Sequence, residues 1–559
     1  MFNKFINVNI NTLNKRIALN SYSKYSRYLS TTGSNYKVAI IGSGPSSFYA
    51  AKYILEKAPV DTRIDIIEKL PMPFGLVRYG VAPDHQDVKT VMTTFTEIGN
   101  NPRVSYYGNV TLGEDIKLET LLKNYSIVLF GTGASSDKIL NIKNENITEI
   151  NDNHRYHSGN TDKSIVGGVL SARSFVNWYN GHPDYSWVGN ELNNLKGITD
   201  VVIVGQGNVA IDCARVLTND SSIKLNKSDI TDEALECIAN SSISKISVIG
   251  RRGFIQASFT IKELRELSRL DECELKLYRD EIERSDTEAS LMEVKNNRPK
   301  KRIVELMRKI AMEGEVGEGE GDVENKCKTK QIDIRFLVSP TEVITDSTTN
   351  TTDSTTDSDS STRVQVKGLK VIHNTLIGIE GKQSVTPRLS ETHEEIEEII
   401  PCQLILRSVG YQSVPLSDTG FKKEWFHTKK HVINNSKGRV LDSNGTIVTQ
   451  IYATGWCKRG PSGIVGTNII DAKETVQCII EDIESKSILP IESDKQIDLM
   501  TLIENENNSK SKSKSKKDIV DWNDYMVING VENEVGIEKG KIRDKIVHID
   551  DIWRNLNKT

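Results

Sequence analysis

An α/β fold built from two parallel-sheet units is predicted by three observations in this 559-residue chain. Near its start, YKVAIIGSGPSSFYAA runs from buried-strand apolars through a glycine turn into a helix, and residues 201–215, VVIVGQGNVAIDCAR, repeat that grammar. Each is followed by a second strand, RIDIIEK and ISVIGRR, completing a βαβ order. The two second strands end differently, one in the acid Glu68 and the other in the pair Arg251 and Arg252.

Size and composition agree with more than one domain. Domains usually run about 100–200 residues, so two or three are expected. The hydrophobic fraction of 37% lies below the usual roughly 45–50%, which points to polar insertions diluting a normal core. The net charge of −4 gives no global case for nucleic acid or a membrane surface. Seven cysteines are scattered without a C-x-x-C or metal-ligand spacing, which argues for a reducing compartment and against a dithiol centre, a cysteine-ligated cluster or a metal site. No apolar run approaches the ~18 residues of a membrane span.

The elements follow in order. Residues 1–34 hold five basic side chains and no acid, and Phe2, Phe5, Ile6, Ile10, Leu13 and Ile17 share one face of a helix. This is the pattern of a mitochondrial transit peptide. A first domain begins at 35 and runs to 136. In its βαβ unit Gly42 allows the tight turn, Gly44 lets the backbone approach a pyrophosphate, and the helix N-terminus faces the anion. Glu68 is placed to hydrogen-bond a ribose hydroxyl, which selects an adenosine without a 2′-phosphate. Ser47 stands at the third fingerprint position. The Pro- and Gly-rich stretch 71–89 is expected to be irregular, a loop with plausible cofactor neighbours in Arg78 and His85. The strand SIVLFGTGA ends near Gly131.

A second domain is expected over residues 137–408. Its polar stretch 141–164 reads as a surface insertion. Gly205, Gly207 and Ala210 form the second fingerprint, and Arg251 and Arg252 stand where guanidinium groups bind a 2′-phosphate bidentately, so this unit asks for NADP. Helices are predicted over 260–270 and 295–310, the latter with a core stripe of Ile303, Leu306, Met307 and Ile310. Two low-complexity stretches within 313–328 and 346–362 are expected to be disordered loops. Short strands IRFLV and VQVKGLKVI continue the domain between them. Residues 409–559 are expected to return to the first domain through TIVTQIYATGW, a Gly-rich turn and a helix from about Thr467, and to end in an extension with few apolar anchors, Trp522 and Trp553 among them.

These blocks, taken in order, resemble the adrenodoxin reductase family of mitochondrial NADPH-dependent ferredoxin reductases. The resemblance rests on GSGPSSFYAA, PFGLVRYGVAPDH, SARSFVNWYNG, GQGNVAIDCAR, GRRGFIQASFTIKELRE, SVGY and GWCKRGPSGIVGT, and covers most of residues 37–484. It implies two Rossmann-like domains, FAD-binding and NADP-binding, in a disulfide-reductase-like flavoprotein architecture. Electrons would pass from NADPH through FAD, one at a time, to a mitochondrial two-iron ferredoxin that feeds iron–sulfur assembly or monooxygenases. The FAD contacts implied are Ser46, Glu68, Leu76, Leu112, Trp456, Gly463, Ile464 and Val465. Those for NADP are Gln206, Gly207, Asn208, Val209, Arg251, Arg252 and Glu263. His85 and Asp212 are the implied catalytic pair across the two domains, and Arg265, Arg298 and Arg302 the ferredoxin-docking arginines, thickened by Lys300 and Lys301. The sequence departs from the family pattern at Ser46, Ser47, Ser462, Gly466 and Asn468. The expected protein is a monomer of the matrix, peripheral to the inner membrane. A glutamate-synthase-type NADPH/FAD subunit and a nucleotide-sensing module without turnover stay open as alternatives.

Overall fold

The computed structural model describes residues 35–148, 168–194, 197–295, 297–313, 328–348, 363–416, 419–492, 497–507 and 518–557. The expected transit segment and nearly all of the low-complexity stretches lie outside them.

The α/β class with two parallel-sheet units holds. The first sheet runs in the order Val104–Gly108, Arg63–Glu68, Lys37–Ile41, Ile127–Phe130, Ile447–Ala453, with these five strands parallel and two short antiparallel strands beyond. The apolar run of strand Lys37–Ile41 is explained by burial on both faces. Val38 and Ile40 pack on helices Pro45–Lys57 and Thr467–Glu484, while Ala39 and Ile41 pack against Leu118, Leu121 and Trp425.

The second sheet is parallel throughout, in the order Val169–Ser171, Leu404–Arg407, Asp200–Val204, Lys245–Ile249, Lys330–Arg335, Cys273–Leu277. Helices cover one face. Val201, Ile203, Ile246 and Val248 meet the helices Asn208–Thr218, Ile261–Leu267 and Arg298–Glu313 there. The opposite face, with Val202, Val204 and Ile249, is covered by an antiparallel sheet made of Val338–Thr348, Arg363–Ile377, Ser384–Pro387 and Glu397–Pro401.

Two chain crossings join the units. Ser136–Asp137 pairs antiparallel with Tyr411–Gln412, and Ser413 Oγ donates to the Gly133 carbonyl at 2.8 Å, so the outgoing and returning segments lie side by side.

Several local expectations are corrected. IRFLV is not one strand. Leu337 takes a left-handed φ of 59°, which ends strand Lys330–Arg335 and starts the separate strand from Val338. The stretch 71–89 is not wholly irregular and contains the short helices Leu76–Tyr79 and Gln86–Lys89. In the polar stretch after 141, Glu145 is buried because its carboxylate takes the Asn141 amide (2.7 Å) and the Arg407 guanidinium (2.7 Å).

The C-terminal extension departs most from expectation, because buried charges anchor it as much as apolar side chains do. On helix Trp522–Glu538, Glu532 is fully buried and accepts from Arg78 Nη1 (2.9 Å) and from Arg543 (2.8 Å). Lys545 reaches Asp229 at 2.8 Å beside Lys89, which donates to the same carboxylate at 2.7 Å. The segment therefore touches both units. Trp522 packs against Phe48 and Phe74 of the first, while Lys541 donates to the Ile230 carbonyl and to Asp232 of the second.

Candidate functional site

The first glycine turn is built for close approach. Gly42 has φ 96°, and a Cβ there would lie 2.7 Å from the Gly131 carbonyl oxygen, so only glycine fits. Gly44 is the N-cap of helix Pro45–Lys57, has no capping side chain, and a Cβ added to it would meet nothing within 4 Å. First-turn amides and open space coincide there, which suits an anionic pyrophosphate. Glu68 Oε2 accepts from the Ser43 amide and hydroxyl, both at 2.8 Å, and Oε1 from the Leu70 amide at 3.0 Å. The acid is thereby fixed at the lip of the turn. A Cβ on Gly75 (φ 49°) would lie 3.3 Å from Gly44 Cα, so glycine lets the next loop approach the turn, and half-buried Leu76 starts the short helix after it.

The returning segment closes over the same turn. Gly455 has φ 73°, and any side chain on it would collide with Ser46. Trp456 donates from Nε1 to the Ser462 carbonyl (3.3 Å) and lies 5.5 Å from the Tyr411 ring. Gly463 has φ 80°, and a Cβ there would fall 2.7 Å from Thr467 Cγ2. Its lack of a side chain thus serves the following helix turn too, a reason the sequence does not disclose. Ile464 is 66% exposed, whereas Val465 packs on the first core. Leu112 is half-buried and bridges to Ile116 at the edge of the first sheet's second core.

The second turn has the same design. Gly205 has φ 127° and leaves no room for a side chain beside the Ser408 carbonyl, while Gly207 faces open space as the uncapped N-cap of helix Asn208–Thr218. Gln206 Nε2 donates to the Arg335 carbonyl at 2.7 Å, and Asn208 Oδ1 accepts from the Thr260 amide at 3.0 Å. Val209 is partly buried against the core. Arg251 is exposed and Arg252 half-exposed, and neither guanidinium has an ion-pair partner among the described residues. Glu263 is buried in the first turn of its helix, hydrogen-bonded to Thr260 Oγ1.

His85 and Asp212 do come together, and a third carboxylate joins them. His85 Nε2 lies 2.8 Å from Glu266 Oε2, whereas Nδ1 is 3.8 Å from Asp212 Oδ1. Burial lowers the imidazole's proton affinity, but the Glu266 hydrogen bond and the Asp212 charge outweigh it, so His85 titrates above its ordinary value. Burial in turn works against Glu266 ionisation, and His85 overcomes this to hold its carboxyl below the usual range. Asp212 is pushed up to about 7 by burial, against the pull of His85. Arg215, fully buried, donates to Asp212 at 2.6 Å and pairs with Asp84. Asp84 and His85 come from the first unit, and Asp212, Arg215 and Glu266 from the second.

Comparison with known proteins adds to this geometry. Residues 40–107 match the NAD(P)-binding Rossmann-like domain family. The mitochondrial NADPH:adrenodoxin oxidoreductase of Arabidopsis thaliana is 36% identical over 94% of this chain and 97% of its own length. The NADPH-ferredoxin reductase FprA of Mycobacterium tuberculosis is 30% identical over 93% and 98%. The structure of that FprA in complex with NADPH superposes with a TM-score of 0.73, covering 93% of this chain and all of that one. The chain belongs to the NADPH:adrenodoxin oxidoreductase family. It is an NADPH-dependent oxidoreductase, and membership decides between the readings that the sequence left open.

The three arginines expected to meet a ferredoxin lie on two packed helices. Arg265 is exposed on Ile261–Leu267, and Arg298 and Arg302 are exposed on Arg298–Glu313; the buried faces of both helices share one core through Leu264, Leu267, Val304 and Met307. Lys301 is exposed beside them. Lys300 does not thicken the patch freely, because its ammonium is paired with Glu293. Sequence reading missed Glu266, Arg215 and the C-terminal charges Glu532 and Lys545. Glu266 lies inside the quoted block GRRGFIQASFTIKELRE, three residues after Glu263, and helical spacing places the two side by side.

Proposed function

We propose that this chain passes electrons from NADPH through FAD, one at a time, to a two-iron ferredoxin of mitochondria, with FAD in the first unit (35–136 and 409–559) and NADPH in the second (137–408). The observation that carries the reading is the contrast between two like-built turns. One ends its second strand in Glu68, the other in Arg251 and Arg252, which hold no ion pair among the described residues. A carboxylate repels a 2′-phosphate and accepts from a ribose hydroxyl; two guanidinium groups do the reverse.

The residues present fit both groups, since each helix N-terminus is uncapped and opens at Gly44 or Gly207. When bound, FAD accepts an electron pair from NADPH and releases electrons singly. The protein's part is to hold and to exclude. Gly42 and Gly205 keep the turns tight, Ser46 and the Trp456–Val465 segment close over the first turn, with Leu76 and Leu112 completing its wall, and Gln206, Asn208, Val209 and Glu263 shape the second. His85 holds a proton between Glu266 and Asp212 at the seam of the units, where hydride donor and acceptor are to be brought together. Arg265, Arg298 and Arg302 present positive charge to an acidic ferredoxin. The mitochondrial matrix, the inner-membrane periphery and the monomeric state belong to this proposal too; no helix among the described residues is long and apolar enough to cross a membrane.

The test is a double variant. Arg251→Ala with Arg252→Ala is expected to raise the KM for NADPH by roughly a hundredfold, since each charge-assisted contact is worth about 1.5–3 kcal/mol, and to leave NADH almost unchanged. Equal losses for both nucleotides would refute the assignment. Bleaching of the visible flavin band by NADPH, followed by reduction of added ferredoxin, checks the order of transfer.

A further inference from the structure

The Arg251–Arg252 turn is held from behind, by the antiparallel sheet that replaces helices on one face of the second unit. Val338 N donates to the Gly250 carbonyl and Leu337 N to the Arg252 carbonyl, both at 3.0 Å. The Gly250 amide donates to the Arg335 carbonyl at 2.9 Å, the same oxygen that takes Gln206 Nε2. Arg335 is itself clamped, by Glu281 at 2.6 Å and by both oxygens of Glu398 at 3.0 Å, with His373 on Glu398 at 3.1 Å. One carbonyl is left, that of Arg251, and a side chain takes it.

That side chain is Asn374. It is 2% exposed on strand Arg363–Ile377, and its Nδ2 donates to the Arg251 carbonyl at 2.9 Å and to Ser339 Oγ at 2.8 Å, while its own amide donates to the Leu337 carbonyl at 2.7 Å. Among the described residues it is the side chain that hydrogen-bonds the backbone of the arginine pair. Exposed arginines read a phosphate well only if their backbone is already in place, because long side chains lose rotamer freedom on binding.

We propose that Asn374 is a positioning residue for nucleotide selectivity: its carboxamide fixes the Arg251 carbonyl, and so aims the two guanidinium groups at a phosphate ester on the adenosine 2′-oxygen. The inference rests on the reading of Arg251 and Arg252 given above. It adds that selectivity is built by the inserted antiparallel sheet as well as by the dinucleotide unit.

The experiment compares Asn374→Ala and the isosteric Asn374→Asp, which cannot donate to the carbonyl, with Ser339→Ala, which leaves the Arg251 hydrogen bond intact. In the flavin-loaded enzyme, the affinities for adenosine 2′-monophosphate and adenosine 5′-monophosphate are measured by titration, and KM for NADPH and NADH with ferricyanide as acceptor. Both Asn374 variants are expected to lower the 2′-over-5′ preference and the NADPH-over-NADH ratio about five- to tenfold, the scale of one hydrogen bond. Ser339→Ala is expected to keep both ratios. Equal losses for the two nucleotides, or unchanged ratios, would overturn the proposal, and so would unfolding of both Asn374 variants, which assigns the residue to core stability alone. The Arg251→Ala, Arg252→Ala enzyme separates the two ideas: retained 2′-phosphate preference there sinks the arginine reading itself, whereas lost preference there with unchanged Asn374 variants sinks this inference only.

Discussion

At the scale of single residues, the seam between the units depends on the protons of His85 and Asp212. His85 titrates above about 6.5, the ordinary imidazole value. A group whose folded-state value is raised lends stability that is complete below the unfolded value and disappears as pH climbs through the folded one. The tie from His85 to Glu266 and Asp212 therefore weakens on the alkaline side of about pH 6.5. In Glu266→Gln the strongest raising partner is gone, and the His85 ring-proton NMR titration is expected to move to lower pH; a midpoint that stays put would assign the shift elsewhere. Ser47 offers a second test. Its hydroxyl is fully buried with no partner among the described residues, beside Gly131, where a side chain would overlap it. Ser47→Ala is expected to stabilise the fold by about 1 kcal/mol, read as a higher urea midpoint. Much at this scale was readable in advance: the places of Glu68, Arg251 and Arg252 at the ends of the second strands follow from their distance to a glycine turn. Glu266 does not, because its partner stands 181 residues away and only the fold brings them together.

At the scale of elements, the helices Ile261–Leu267 and Arg298–Glu313 show how a periodic pattern becomes a surface. Ile303, Leu306, Met307 and Ile310 are turned toward the core as their spacing predicts, which leaves Arg298, Lys301 and Arg302 outward. Arg298→Ala with Arg302→Ala is expected to slow ferredoxin reduction roughly tenfold at low ionic strength, with a flatter salt dependence. Ferricyanide reduction should be untouched, and an equal fall in both would remove the docking role. The central parallel strands were equally plain, since burial on both faces gives unbroken apolar runs, whereas the edge strands Val104–Gly108, Val169–Ser171 and Cys273–Leu277 were not. Of the antiparallel sheet only the strand VQVKGLKVI was plain. The sheet's strands are half exposed and mix Lys, Glu and Thr with single apolars, and the left-handed turn at Leu337 carries no glycine to announce it.

At the scale of the whole molecule, the two units are joined by the paired crossings near 136 and 412 and by the C-terminal segment lying over both. Glu532→Ala would strand Arg78 without its carboxylate partner in the interior, at a cost of about 3–5 kcal/mol. Chemical unfolding followed by flavin fluorescence would measure it, and a loss below 1 kcal/mol would show that the pair contributes little. The two parallel sheets were visible in the sequence through its two turns, yet this third link was hidden, because Glu532, Lys541 and Lys545 look like ordinary surface charges until Arg78 and Asp229 are seen facing them.

That link also imposes an order in time. A chain is made from its N-terminus, and domains tend to fold as they emerge. Arg78 is made long before Glu532, so its guanidinium lacks its carboxylate partner until residues 522–545 emerge, whereas Lys89 and Asp229 can already pair with each other. Emergence of residues 522–545, rather than the folding of either unit, is the event that locks the two together.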